Sequence, residues 1–298
     1  MEEDLSRFVP KVHFELLPIK NLVSSQTYQR NLSLSHIQRT VENFDLHQIN
    51  PVKVSRRDGI NYVFNGQHTI EVIAAVSGSR DTPVWCMIYD DMDYTVEADT
   101  FANQQKYIKP LIPYEIFMAN IEAGNDTQLM IKSLVESYGL TISSTRTPGS
   151  VCAISTLEGI HEKYGFHTLD RTLRLCVGTW EGEPDSLSGN MLKGIAHLIV
   201  SFGETMRDDV FKEKIGKVSA RELSRTARER KAGSMGFAEA ILLEYNKKMK
   251  NPLHWSKLYE KKSLKIDNFE FDEEAAPLFL EDVPMEDPRD WETLDEGI

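Results

Sequence analysis

The chain has 298 residues, 41% of them hydrophobic, and a formal net charge of −12; this length suits two ordinary domains with a real core, and no apolar run approaches the roughly 18–20 residues of a membrane helix. The three cysteines, Cys86, Cys152 and Cys176, stand far apart with no C-x-x-C pair, which argues against a disulfide framework or a cysteine zinc site and fits buried thiols in a reducing compartment. The acidic start, Met1-Glu2-Glu3-Asp4, is the opposite of a secretory signal, so a cytoplasmic protein with no membrane partner is expected.

Residues 1–11 read as a loose lead. Leu17-Pro18-Ile19-Lys20-Asn21-Leu22 is a short apolar stretch, Tyr28-Gln29-Arg30 follows it, and 33–44 has helical spacing with His36, Ile37, Val41 and Phe44 on one face. Asn50-Pro51-Val52-Lys53-Val54 opens a strand, and Arg57-Asp58-Gly59 is a hairpin turn. The run 60–64 is β-branched and aromatic, which predicts the next strand. Asn65-Gly66 breaks it, with Gly66 free to take a backbone angle other residues avoid. From Gln67 the period changes, and Ile70, Ile73 and Ala74 fall on one helix face. A strand running through a glycine turn into a helix leaves unpaired N–H groups at the positive end of the helix dipole, a ready anion site. Gln67, His68 and Thr69 overhang it. The alternative is an ordinary strand–turn–helix junction that binds nothing, because one glycine turn is a weak motif. Strand 83–89 closes the series. The cluster Asp90-Asp91-Met92-Asp93 reads as a solvated turn rather than a metal site, and 95–105 reads as a helix with Ala98, Phe101 and Ala102 in a stripe.

This order of segments resembles the ParB/sulfiredoxin-like superfamily, also called the ParB-like nuclease domain, in its Gly-Gln-His-type variant. The resemblance rests on the Leu17–Leu22 stretch with Gln29-Arg30, the Asn50-Pro51-Val52 strand and the Gly66-Gln67-His68 box, in that order, and covers about 12–95. It implies an α+β fold and a phosphate-binding pocket formed by Gln29, Arg30, Asn65, Gly66, Gln67, His68 and Thr69. Sulfiredoxins carry a nucleophilic Cys where this chain has Gln67, which removes sulfinic-acid reduction. The cytidine-triphosphate-hydrolysing ParB clamps carry Glu and two Arg where this chain has Gln67, His68 and Thr69. The box therefore lacks both a Mg²⁺-holding carboxylate and the phosphate-gripping Arg, and Arg30 is the replacement for that positive charge. A nucleoside triphosphate with Mg²⁺ is the cofactor the resemblance implies. Glu71, one turn into the helix, and His68 are the residues a catalytic version would use. If Glu71 points outward it is an ordinary helix surface residue.

From Pro113 onward the chain reads as helices: 114–122, then 126–138 with Asp126 as N-cap, a polar loop over 142–150, then 151–164, 169–178, 189–202 and 208–215. The loop over 142–150 is too long for a tight DNA-reading turn. His161, His167 and His197 stand singly, and no metal constellation is visible. In 217–231, Ser219 and Glu222 form a capping box. Arg221, Arg225 and Arg228 recur at i, i+4, i+7, with Lys217 and Lys214 continuing the row. This is the electrostatic footprint of phosphate-backbone binding, without the interleaved Asn, Gln or aromatic residues of a base reader; a solvated face is the alternative. From about 264 periodicity is lost. Of the 46 acidic residues, 13 lie in 267–298 with one basic residue, Arg289, so the remaining 33 acidic and 33 basic residues balance and the body is neutral. Such a composition predicts a disordered acidic tail that docks on a basic surface, its own or a partner's.

The expected organisation is a ParB/sulfiredoxin-like α+β domain over 11–94, an all-α region over 95–263 and a flexible acidic tail over 264–298. The expected function is a nucleotide- or phosphate-binding factor of partition, replication or regulation, of bacterial or phage type, with DNA as partner of the helical region and a second copy of the chain as a further candidate partner. Two alternatives stay open: a nucleotide hydrolase, phosphotransferase or nuclease on the same scaffold, and a non-catalytic protein-interaction factor.

Overall fold

The computed structural model describes residues 5–24, 27–104, 106 and 108–260. The acidic tail and its expected disorder lie outside them. The chain forms two compact units that divide between Pro110 and Leu111.

The first unit is α+β. Its strands are β1 (His13–Pro18), β2 (Leu22–Val23), β3 (Val52–Arg57), β4 (Ile60–Asn65) and β5 (Pro83–Tyr89), and its helices are α1 (Leu34–Glu42), α2 (Gln67–Ser77) and α3 (Tyr94–Gln104). The sheet is mixed, in the order β1-β5-β3-β4-β2. Strands β1 and β5 run antiparallel, β5 and β3 parallel, β3 and β4 antiparallel, and β4 and β2 parallel. The β3–β4 hairpin closes at Arg57 opposite Ile60. Asp58 and Gly59 between them both have positive φ, which is what a two-residue hairpin loop needs to match strand twist. One sheet face packs Val52, Val54, Val63, Val84, Cys86 and Ile88 against Ile70 of α2. The alternation of buried and exposed positions along β5 follows from the pleat, with Val84, Cys86 and Ile88 inward.

Helix α3 belongs to this sheet unit, whereas a boundary after residue 94 was expected. The reason is electrostatic. Glu97, with no exposed surface, pairs with Arg57 of β3 at 2.6 Å and accepts a hydrogen bond from Tyr28 Oη at 3.1 Å. The Arg57 guanidinium also lies 4.0 Å from the centre of the Tyr62 ring. A carboxylate buried this deeply is stable only with such partners.

The second unit is helical: α4 (Pro113–Glu122), α5 (Asp126–Ser137), α6 (Ile154–Trp180), α7 (Gly189–Phe202), α8 (Asp208–Ile215), α9 (Ala220–Arg230), α10 (Ser234–Asn246) and α11 (Ser256–Tyr259). Asp126 is the first helical residue of α5, one place after its expected role as cap; Asn125 occupies that place. The two helices expected over 151–178 are one element broken at Gly165, whose φ of 81° and ψ of 172° leave the helical region. The ends of the expected 142–150 loop are pinned by a short parallel pair, Thr141–Ile142 with Ser150–Val151. At the centre α7 packs on α10, and Gly194 allows the close approach, since a Cβ there would stand 2.8 Å from that of Phe237. None of the described helices is long and apolar enough to cross a membrane.

Candidate functional site

Strand β4 ends at Asn65 and α2 begins at Gln67. Gly66 joins them with φ of 107°, and a Cβ there would lie 3.2 Å from both Val52 methyl carbons. Only glycine meets both demands without strain. The first amide to bond back into the helix is that of Ile70, to Gly66 O at 3.1 Å. The N–H groups of Gln67, His68 and Thr69 therefore have no intrahelical acceptor and carry the positive end of the α2 dipole.

These residues open onto a cleft of ≈ 400 Å³. All seven predicted pocket residues line it: Gln29, Arg30, Asn65, Gly66, Gln67, His68 and Thr69. So do five that carried no predicted site role: His36, Phe64, Phe101, Ala102 and Gln104. His36 had appeared only as a helix-face residue. In the sequence the α3 wall reads only as a helix with Ala98, Phe101 and Ala102 in a stripe.

The side chains divide by task. Gln67 is buried and donates to Arg30 O at 2.7 Å, while Gln29 donates to Val63 O at 2.5 Å. These two amides brace the 29–30 segment against the β4–α2 junction. Asn65 donates to Gln104 Oε1 at 2.9 Å, tying the end of β4 to the end of α3. Arg30 is exposed, and its guanidinium makes no ion pair or hydrogen bond among the described residues. Its charge faces the cleft uncompensated, because no Asp or Glu is among the lining residues.

His68 Nε2 accepts the backbone N–H of Ser33 at 3.1 Å, so its proton sits on Nδ1. Its ring meets that of His36 edge to face at 5.5 Å. Burial, with the nearby charges of Arg30 and His36, holds the His68 imidazole below the usual histidine range. It is therefore a neutral acceptor near pH 7.

Glu71 does not line the cleft. Its carboxylate makes a two-pronged pair with Arg80 at 2.9 and 3.0 Å, so the outward one of its two expected orientations is realised. In the Asp90–Asp93 cluster, Asp90 pairs with His13 at 3.2 Å and Asp93 caps Val96 N–H at 2.8 Å. No group of three or more His, Cys, Asp or Glu residues is arranged to hold a metal among the described residues.

A separate basic surface lies on α9. Ser219 accepts the Glu222 N–H at 3.1 Å and starts the helix. Ala220, Leu223, Ser224 and Ala227 are buried, which leaves Arg221, Arg225 and Arg228 on the solvent face. None of the three has a partner among the described residues, and they border a groove of ≈ 830 Å³ together with Asp185, Glu222 and Glu229. The predicted continuation of the row stops there. Lys217 precedes the helix and pairs with Glu213 at 3.1 Å. Lys214 caps α10 by donating to Tyr245 O at 2.8 Å. Helices α8 and α9 are joined by four residues, from Gly216 to Ser219, the length of a helix-turn-helix connection.

A family model described as a family of unknown function, DUF6551, matches residues 23–253. The chain belongs to this family. No curated protein matches it. Among solved structures, the DUF6551 chain is similar to the C-terminally truncated chromosome-partitioning protein ParB from Caulobacter crescentus complexed with CTP-γ-S, at 12% identity and a TM-score of 0.33, covering 77% of this chain and 99% of that one. The same protein complexed to its centromeric parS site gives 14% identity, a TM-score of 0.26 and coverage of 72% and 99%. Superpositions this loose carry no structural argument, and the sheet order and cleft stand on the chain's own geometry.

The lowered pKa of His68 sets a pH response. Below its ordinary value near 6.5 the unfolded chain takes up a proton that the folded imidazole resists. Its stabilising contribution is present above that pH and lost as pH falls through the lower folded value. In His68→Gln the unfolding free energy should fall less between pH 7 and pH 5 than in the unaltered chain. His197, also held low by burial and by Lys163 and Lys193, keeps part of the slope in both proteins. Equal slopes would contradict the assignment.

Proposed function

We propose that the sheet unit is a ParB-like phosphate-binding module that takes the phosphates of a nucleotide on the Gln67, His68 and Thr69 amides and on Arg30. One observation carries this reading: among the described residues, three helix amides and an arginine side chain without partners converge on a cleft with no carboxylate in its lining. Anions gain from that arrangement twice, through hydrogen bonds and through the dipole. Phe64, Phe101 and Ala102 give the cleft an apolar wall, and the Asn65–Gln104 amide pair gives it polar edges suited to a base or sugar. The donor set fits the anion. It offers a divalent cation no carboxylate, so any Mg²⁺ would be held by the ligand's phosphates and water rather than by this cleft.

The helical unit, in this proposal, contacts the phosphate backbone of DNA through Arg221, Arg225 and Arg228, with α8 and α9 as a helix-turn-helix pair. Lys217 lies at the edge of that surface with its charge already paired. The chain then acts as a cytoplasmic partition, replication or regulatory factor of bacterial or phage type, and a second copy of itself is a candidate partner. Turnover is left out of the proposal, since Glu71 is held by Arg80 and His68 is held by Ser33.

Thermal unfolding with each ribonucleoside di- and triphosphate tests the cleft. A ligand at 100 times its Kd should stabilise by about 2.7 kcal/mol. That shift should be lost in Arg30→Ala, whose exposed side chain can be removed without unfolding the unit. No shift with any nucleotide would overturn the nucleotide reading.

For the helical unit, duplex DNA affinity should fall with salt. Replacing Arg221, Arg225 and Arg228 by Ala should reduce the slope of log K against log salt by about 2–3, near 0.9 per lost phosphate contact. An unchanged slope would remove α9 from the DNA interface.

A further inference from the structure

The described chain ends beside the helix that carries the unpaired arginines. Arg230, at the end of α9, pairs with Glu239 at 3.4 Å and lies 5.4 Å from the centre of the Trp255 ring. Lys231 stands 5.1 Å from the centre of the Tyr259 ring, and Tyr259 Oη donates to Glu239. These contacts pin α11, and with it Glu260, at the C-terminal end of α9. The sequence continues through Lys261, Lys262 and Lys265 into Asp267, Glu270, Asp272, Glu273 and Glu274, with Phe269 and Phe271 among them.

We propose that segment 267–274 of the same chain docks along Arg221, Arg225 and Arg228 and competes there with any other polyanion. Three arguments support this occupant. The first is charge: three arginines without partners among the described residues are matched by five carboxylates in the eight residues 267–274. The second is reach. Seven residues from Glu260 span up to roughly 23–25 Å, and the helix rises only about 10 Å between Arg228 and Arg221. The third is tethering. A segment anchored this close meets the row at an effective concentration on the order of millimolar, so exposed ion pairs that are individually weak act together. The proposal does not depend on the nucleotide reading or on DNA binding.

The test uses the full chain with the photo-cross-linking residue p-benzoyl-phenylalanine in place of Phe271, cross-links being mapped by mass spectrometry on a mixture of isotope-labelled and unlabelled protein. The expected result is cross-links within one molecule to residues 219–230. Their yield should fall several-fold in Arg221→Glu/Arg225→Glu/Arg228→Glu, and also in the unaltered body at about 0.5 M salt, where exposed pairs are screened. The salt arm holds even if the triple variant fails to fold. Cross-links scattered over the body, indifferent to salt, or joining labelled to unlabelled copies would each overturn the proposal.

Discussion

Much of the first unit depends on the turn at Gly66. The sheet needs β4 to run beside β3, and the helix needs to start one residue later. Val52 of β3 stands where any larger residue's Cβ would press, at 3.2 Å. The backbone therefore passes through a left-handed conformation with no side chain, and α2 starts without a side-chain cap. The starts of α1 and α9 are capped from within, by Ser33 and Ser219, whose hydroxyls accept amides of the first turn; α5, α6, α7, α8 and α10, like α2, start without a side-chain cap. At α2 the corresponding amides are left facing a cleft. An uncapped helix start is a cost to folding and an asset to anion binding; Arg30 and the absence of acid in the lining tilt this one toward the second.

The cleft's other wall is supplied at a distance. Helix α3 brings Phe101, Ala102 and Gln104 opposite the α2 start, and it is held there by Glu97 through Arg57 and Tyr28. Burial and the adjacent Glu97 push the Tyr28 phenol well above its ordinary range, so it remains a donor to that carboxylate. Because Tyr28 immediately precedes Gln29 and Arg30, one buried polar cluster orients both the α3 wall and the segment that carries the cation. Gln67 and Gln29 then fix that segment by bonding backbone carbonyls. Most polar groups around the site thus build it, and few remain for a ligand: three amides, Arg30, and the free edges of His36, His68 and Thr69.

What was legible in the sequence is what local physics decides. The change of period from two to 3.6 at Gly66 marks the β4–α2 junction. The Asp58-Gly59 hairpin and the 189–202 and 208–215 helices could be read off at their observed bounds. All seven predicted pocket residues line one cleft because they come from two short segments whose order carried the superfamily resemblance. Partner choice was not legible. Gln67 reads as a ligand-facing polar residue, yet its amide is spent on Arg30 O, 37 positions away in sequence. Glu71 was a candidate base until Arg80, nine positions on, claimed it. Lys214 and Lys217 extend the basic row on paper, but one caps α10 and the other pairs with Glu213. His36 and Gln104 gave no local sign of joining the site, since only the tertiary fold brings them to it.

The central claim is that the amides opening α2 bind phosphate. The most direct measurement is a titration of the isotope-labelled full chain with a nucleoside triphosphate and, separately, inorganic phosphate, following backbone amide resonances. The account predicts that the largest shifts fall on Gln67, His68 and Thr69, with the Arg30 guanidinium resonance moving alongside them. Saturable shifts confined to other parts of the chain, or none at millimolar ligand, would contradict it.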